Sequence, residues 1–275
     1  MKLEPDISVV LVTYNRARFL PRTLDSIHAQ TFANYELLIC DDCSTDSTRE
    51  ICRAYAARDS RIHYYRNKVN IRMPANLNAG LERARCELVA NLHDGDIYHP
   101  TLLEKWHNAL VAYPSAGFVF NKYRHLDDAG NAALVVNNFP ELIPGHKFLE
   151  YCFRGRDLES PVWGTVMARR SIYQKFDYFD TRYSFWADFD MWFRIAEEHD
   201  VAFVNESLID LPSKKVMPHL FRLNAFEPHL QMFRAFWAAR CRHYRGSRRQ
   251  LTRELAKQTY DFAVSRAGRV AARLR

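Results

Sequence analysis

The first hundred residues alternate short, almost unbroken apolar runs with segments whose apolar residues recur every three or four positions. Ile7-Ser8-Val9-Val10-Leu11-Val12 has the length and β-branched content of a strand buried on both faces. Behind it, Phe19, Leu20, Leu24 and Ile27 share one helical face, with Pro21 near the first turn, where a missing N–H costs nothing. Tyr35 to Cys40 reads as a second strand, followed by a helix that carries Ile51 and Tyr55 and is capped by Ser44 or Asp46. Arg61 to Arg66 is a third strand, Asn76 to Ala84 a helix, and Leu88 to Leu92 a fourth strand. Parallel strands need a crossover long enough to hold a helix, so this alternation calls for an α/β fold with a mostly parallel, helix-covered central sheet.

Such sheets bind ligands outside the carboxyl ends of their strands. Three strand ends here carry polar or aromatic groups: Thr13-Tyr14-Asn15, Asp41-Asp42 and Asp94-Gly95-Asp96. Taken alone, the third suits a turn, because Asp and Gly favour turns. It suits a metal site equally, because hard divalent cations take carboxylate oxygens. Three such groups at one edge look more like a site than like three turns. Neither the dinucleotide fingerprint nor the P-loop is present, so a phosphorylated ligand would need a cation or basic side chains for its charge.

Beyond residue 100 the pattern is less regular. Pro100 to Tyr113 and Phe185 to Glu198 read as helices and Gly117 to Tyr123 as a strand, with residues 125–146 as a long connection. His229 to Tyr244 has amphipathic spacing, and Leu251 to Leu274 adds one or two helices. No apolar stretch nears the ~20 residues of a membrane span. The N-terminus runs into the first strand without a signal-peptide pattern, and the six cysteines lack framework spacing. The expected setting is cytoplasmic, with reduced thiols, and Cys40-x-x-Cys43 has no second pair to suggest zinc. Charge is uneven: residues 234–275 hold 12 Lys/Arg against two acids, +10 of a total of +7, which leaves −3 on the preceding 233 residues.

Four segments carry a family resemblance: "SVVLVTYNRARFLPRTLDSIHAQTFANYELLICDDCSTDST", "NIRMPANLNAGLERA", "LVANLHDGDIYHPTLLEK" and "YFDTRYSFWADFDMWFRI". In order and spacing the chain resembles the inverting family 2 glycosyltransferases of GT-A (Rossmann-like) fold. The resemblance implies a transferase domain over 1–220, with a nucleotide-sugar half to about residue 100 and an acceptor half beyond it. Residues 221–275 would form a basic helical extension. It implies that Tyr14 borders a nucleotide base, that Thr13 and Asn15 shape the first loop, and that Asp41, with Asp42 beside it, accepts from the base. Asp94 and Asp96 would be the D-x-D element holding Mn²⁺ or Mg²⁺ against the diphosphate, and Asp188 the catalytic base. Arg72 stands where many relatives have Gly, and suits a bidentate phosphate contact. His219 would reach the metal or diphosphate from a closing loop.

The implied reaction is metal-dependent, inverting transfer from a nucleotide-diphosphate sugar, UDP-linked by expectation, to a hydroxyl on a glycan or lipid-linked sugar. Its setting would be bacterial surface-polysaccharide or lipid-linked glycan assembly. His93 and Gly95 replace acids common in relatives, and Ala187 replaces Glu, so a non-catalytic nucleotide-sugar or carbohydrate-binding protein is the alternative. The Q-x-x-R-W element of processive synthases is missing. Bland readings stand beside these: Asp188 as a helix-capping acid, Arg72 as a surface charge, His219 as structural, and Trp163, Trp186 and Tyr183 as core rather than a sugar platform. The basic tail is either a solvated face or a peripheral contact with the inner face of an anionic membrane. No nucleic-acid fold accompanies the charge, so no nucleic-acid partner is expected.

Overall fold

The computed structural model describes residues 4–127, 129, 131–134, 138–154, 162, 164–183 and 187–211. The expected C-terminal extension, His219, Trp163 and Trp186 lie outside the described residues. Ten strands make one sheet: β1 (Ile7–Thr13), β2 (Tyr35–Asp41), β3 (Ile62–Arg66), β4 (Leu88–His93), β5 (Ile97–Tyr98), β6 (Ala116–Leu126), β7 (Ala132–Leu134), β8 (Leu142–Ile143), β9 (Val166–Arg169) and β10 (Asp200–Leu211). The helices are α1 (Leu20–His28), α2 (Thr48–Arg58), α3 (Ala75–Arg83), α4 (Leu102–Ala112), α5 (Gly145–Arg154), α6 (Arg170–Lys175) and α7 (Ala187–Glu198).

Strand order is β3-β2-β1-β4-β9-β6-β10-β5, with β7 on β6 and β8 on β10. The pairs β3–β2, β2–β1, β1–β4 and β6–β10 are parallel, whereas β9 runs antiparallel between β4 and β6. Every residue of β1 and β2 is buried, as unbroken apolar strands between two helix layers must be. One apolar core lies on each face of the sheet. Each fully buried Leu, Ile or Val in them contributes roughly 1.5–3 kcal/mol. On one face α3 lies so close that a β-carbon on Gly80 would sit 2.5 Å from Val10 Cγ1. On the other, α1 buries Leu20, Leu24 and Ile27.

Register decides where the site is. Thr13 pairs with Asp41, Val12 with His93, and Asp41 with Arg66, so β1, β2, β3 and β4 end level with one another. The expected long connection over 125–146 instead holds the end of β6, then β7, β8 and the start of α5. Among the described residues no helix is long and apolar enough to cross a membrane.

Candidate active site

At the level carboxyl ends the first loop is stitched to the second. Asn15, at φ 52°, donates its N–H to Ser44 Oγ (2.9 Å), and its Oδ1 accepts from Thr45 N (2.8 Å). Short polar side chains of this kind tolerate the left-handed region that the sharp turn needs. The N-cap of α2 is Ser47, without a side-chain capping bond, rather than Ser44 or Asp46; Asp46 Oδ1 accepts from Thr48 N at 3.0 Å in the turn just before the helix, and Ser44 serves the loops. Tyr14 is 45% exposed beside them.

Asp41 and Asp42 are both engaged within the protein. Asp41 is wholly buried, and its carboxylate already accepts from Ser44 N (2.9 Å), Ser44 Oγ (2.5 Å) and Tyr64 Oη (2.6 Å), with Arg66 Nε at 3.6 Å. In this structure it ties the second loop to β3. Asp42, also buried, accepts from Asn67 Nδ2 (2.9 Å), Ile71 N (2.8 Å) and Arg72 N (2.7 Å). It fixes the loop after β3, with Arg72 at φ 64°. That angle supplies a physical reason for the glycine common there, since glycine alone adopts it at no steric cost. The Arg72 side chain is exposed and makes no hydrogen bond or ion pair among the described residues.

The turn after β4 is electrostatically loaded. Asp94 Oδ2 accepts from Tyr14 N (3.3 Å), and Oδ1 lies 3.4 Å from Arg16 Nε, both side chains being about 15% exposed. Burial pushes Asp94 up to about 6 although Arg16 opposes the rise. Asp96 is 1% exposed, and its Oδ2 has no hydrogen-bond partner. Burial first, and the Asp94 charge second, push its carboxyl well above the usual range. Thr23 Oγ1 donates to the Asp96 carbonyl (2.9 Å), which fixes this turn against α1.

These residues fit a divalent cation in part. Two oxygen donors, one of them a buried orphan, suit a hard ion that is also held by ligand phosphates. No third His, Cys, Asp or Glu joins them among the described residues.

Across the edge, Asp188 opens α7 in its first turn. Its carboxylate makes no hydrogen bond or ion pair among the described residues, and desolvation alone pushes it to about 7. A β-carbon on Gly164 would lie 2.5 Å from Asp188 Oδ2 and 2.8 Å from His93 Cε1, so the end of β4 and the mouth of α7 close on one point. Gly164 is at φ +67°, and its carbonyl accepts from the buried Asn91 Nδ2 at 2.9 Å. Burial, then Arg16, holds His93 down to about 4, so the imidazole beside Asp188 is neutral. Asp190 instead pairs with Arg194 Nε (2.8 Å), and Tyr183 packs against the core.

Arg16, His93 and Gly164 are the site residues the sequence reading passed over as participants. Arg16 carried a visible signal, a cation one residue past a strand-end loop on an acidic edge. Gly164 carried none, because its meaning lies in a φ angle and two distant neighbours.

This edge gathers the carboxylates of Asp94, Asp96 and Asp188 with the Arg16 guanidinium. A family model described as glycosyl transferase family 2 matches residues 8–177. The putative glycosyltransferase EpsE of Bacillus subtilis is 33% identical over 205 residues, which span 72% of this chain and 69% of that protein. Among solved structures, S. aureus TarS 1–349 in complex with UDP superposes with a TM-score of 0.64 at 19% identity, covering 88% of this chain and 73% of that one. The mannosyltransferase PcManGT from Pyrobaculum calidifontis, in complex with GDP-Man and Mn²⁺, gives 0.62 at 17% identity, covering 97% and 76%. The chain belongs to glycosyl transferase family 2, and its sheet is that of the GT-A fold.

Proposed function

We propose that the protein transfers a sugar from a nucleoside-diphosphate donor to a hydroxyl acceptor with inversion. The observation that carries this reading is Asp188: a carboxylate near neutrality, without a partner among the described residues, packed on Gly164 at the carboxyl edge of the sheet. A general base works best when its pKa lies near the working pH. The acceptor oxygen attacks the anomeric carbon from the face opposite the diphosphate, the bond to the diphosphate breaks, and the acceptor proton passes to Asp188. Desolvation keeps the carboxylate from being stabilised by water, so it takes the proton readily.

Tyr14 borders the base in this reading, with Thr13 and Asn15 shaping its loop, and Arg72 meets phosphate. Asp94 and Asp96 are the candidate cation ligands, with His219 a further one from outside the described residues. A bound Mn²⁺ or Mg²⁺ would offset charge on the departing diphosphate. Asp41, with Asp42 beside it, accepts from the base in this reading, and both also hold the two flanking loops. The donor is UDP-linked in our reading, supported by a neighbour solved with UDP, while another was solved with GDP-Man. Residues 1–220 form the transferase domain, residues 221–275 a basic extension, and the setting is surface-polysaccharide or lipid-linked glycan assembly.

Thermal unfolding with a panel of nucleoside diphosphates, with and without Mn²⁺, tests the donor site, because ligands of the folded state raise its melting temperature. A Mn²⁺-dependent rise with one nucleotide, lost in Asp96→Ala and kept in Asp188→Asn, is the expected result. No rise with any nucleotide overturns the reading.

A further inference from the structure

Seven large apolar side chains are exposed among the described residues, and five of them lie at one edge: Tyr14 after β1, and Tyr65, Val69, Ile71 and Met73 at and after β3. Val69 is 64% exposed. Scattered exposed apolar residues need no explanation, whereas a group on one loop does. The loop is held firmly. Buried Asp42 takes the amides of Ile71 and Arg72, Asn67 N donates to the Asp41 carbonyl (2.9 Å), and Cys43 Sγ lies 3.5 Å from the Lys68 carbonyl. Val69, Ile71 and Met73 alternate with Lys68, Asn70 and Arg72 along it. The amides of Ile71 and Arg72 are already satisfied from below, so this tip can enter an apolar phase without stranding those two groups.

Apart from the buried carboxylates of Asp41 and Asp42 beneath it, the charge of the segment itself is one-sided. From Ser60 to Leu81 there is no acid, while Arg61, Arg66, Lys68 and Arg72 are present. Arg61 is bonded to Asp59 and Arg66 to the Ser44 carbonyl, but Lys68 and Arg72 have no ion pair among the described residues. The chain's own C-terminal segment is a poor occupant, because residues 234–275 carry +10 and like charges repel. An anionic, partly apolar partner is complementary on both counts, and a bilayer with acidic headgroups is such a partner.

We propose that the loop from Tyr65 to Met73 docks on an anionic membrane surface. Val69, Ile71 and Met73 enter the headgroup boundary and Lys68 meets lipid phosphate, which leaves Arg72 for the donor. Docking there turns the carboxyl edge of the sheet, with Asp94 and Asp188, toward a membrane-borne acceptor. The loop argument stands without the transferase reading, and its link to the acceptor rests on that reading.

The test uses the full chain with vesicles of phosphatidylcholine alone or mixed with phosphatidylglycerol. Val69→Trp should show blue-shifted difference emission, and quenching by brominated acyl chains, with the anionic vesicles only. A triple variant, Val69→Ser with Ile71→Ser and Met73→Ser, should lose vesicle binding several-fold while keeping its nucleotide-induced rise in melting temperature. Three results overturn the proposal. The wild type fails to bind anionic vesicles. It binds while the Val69→Trp emission stays unmoved, which assigns binding to the tail. The triple variant keeps vesicle binding but loses the nucleotide response, which assigns the loop to the donor pocket. Because the nucleotide response is read separately, failure of docking and failure of the donor site are distinguishable.

Discussion

Replacing Asp188 by Asn should remove activity and stabilise the fold, with a pH dependence that identifies the cause. In the folded chain Asp188 titrates near 7, raised by desolvation alone. In the unfolded chain an aspartate titrates near ~3.9. Below the unfolded value both states are protonated and the group is neutral to stability. Between the two midpoints the folded state holds a proton that the unfolded state has lost, so this group's contribution falls as pH rises, then levels above 7. At about 1.36 kcal/mol per pH unit, the full loss is about 4 kcal/mol. Asp188 keeps some contact with solvent, which lowers the figure to roughly 2–4 kcal/mol. Asn keeps the shape and removes the charge, so the variant should melt roughly 4–7 °C above wild type at pH 8.5 and level with it at pH 4. Thermal unfolding followed by circular dichroism across pH 4–9, without nucleotide or metal, measures the difference. A gap that is constant with pH, or a less stable variant at pH 8.5, refutes the desolvated-base argument.

Gly164→Ala should cost roughly 1–3 kcal/mol, because the residue is at φ +67° and the new carbon would sit 2.5 Å from Asp188 Oδ2; urea unfolding measures it. If that variant retains wild-type stability, the close approach of α7 to Gly164 is wrong. Arg16→Ala removes a cation from Asp94 and Asp96 and should destabilise by roughly 1–3 kcal/mol at pH 8, with most of the loss recovered at pH 5, where Asp94 takes up a proton. Equal losses at both pH values would show that Arg16 acts by packing and not by charge. Arg72→Gly should raise stability by roughly 0.5–1 kcal/mol, since glycine accepts φ 64° freely, while weakening nucleoside-diphosphate binding about tenfold in titration calorimetry. Unchanged affinity would remove Arg72 from the donor site.

The first four strands were legible because a parallel strand buried on both faces is an unbroken apolar run, and β1, β2 and β4 are such runs. Their alternation with helices also placed Tyr14, Asp41 and Asp94 at one edge, which the register confirms. The second half resisted for definite reasons. β9 has four residues and owes its existence to pairing with β4 and β6, both distant in sequence. β10 is interrupted by Asn205-Glu206, where its pairing with β6 shifts register. At the site, adjacent acids at a strand end read alike whether they face a ligand or a loop. For Asp41 and Asp42 the partners within the protein are Tyr64, Arg66, Asn67 and Arg72, more than twenty residues on, where no local pattern reports them.

Unsatisfied groups mark the same edge independently of any motif. Eight buried side-chain polar atoms lack a hydrogen-bond partner among the described residues, and four of them, Thr13 Oγ1, Asn91 Oδ1, Asp96 Oδ2 and Thr165 Oγ1, lie at the ends of β1 and β4, in the turn after β4, or at the approach to β9. Thr13 and Thr165 stand close enough to Asp94 and Asp96 to lower their pKa values, so the open cost falls on Asn91 Oδ1 and Asp96 Oδ2, on the order of 1–3 kcal/mol each, and Asp188 adds a carboxylate with no partner among the described residues. By contrast, at the opposite end of the same sheet, buried Glu36 is fully engaged by Ser8 Oγ (2.6 Å) and by Arg85 Nε and Nη2 (2.9 and 2.7 Å). The amino edge is not free of open groups, since Arg170 Nε beside the start of β4 and His199 Nε2 beside the start of β10 are unpartnered too, but the open groups of the carboxyl edge include carboxylates. An open buried carboxylate such as that of Asp96 is the costly kind of orphan, and its cost is offset if what binds at this edge completes it.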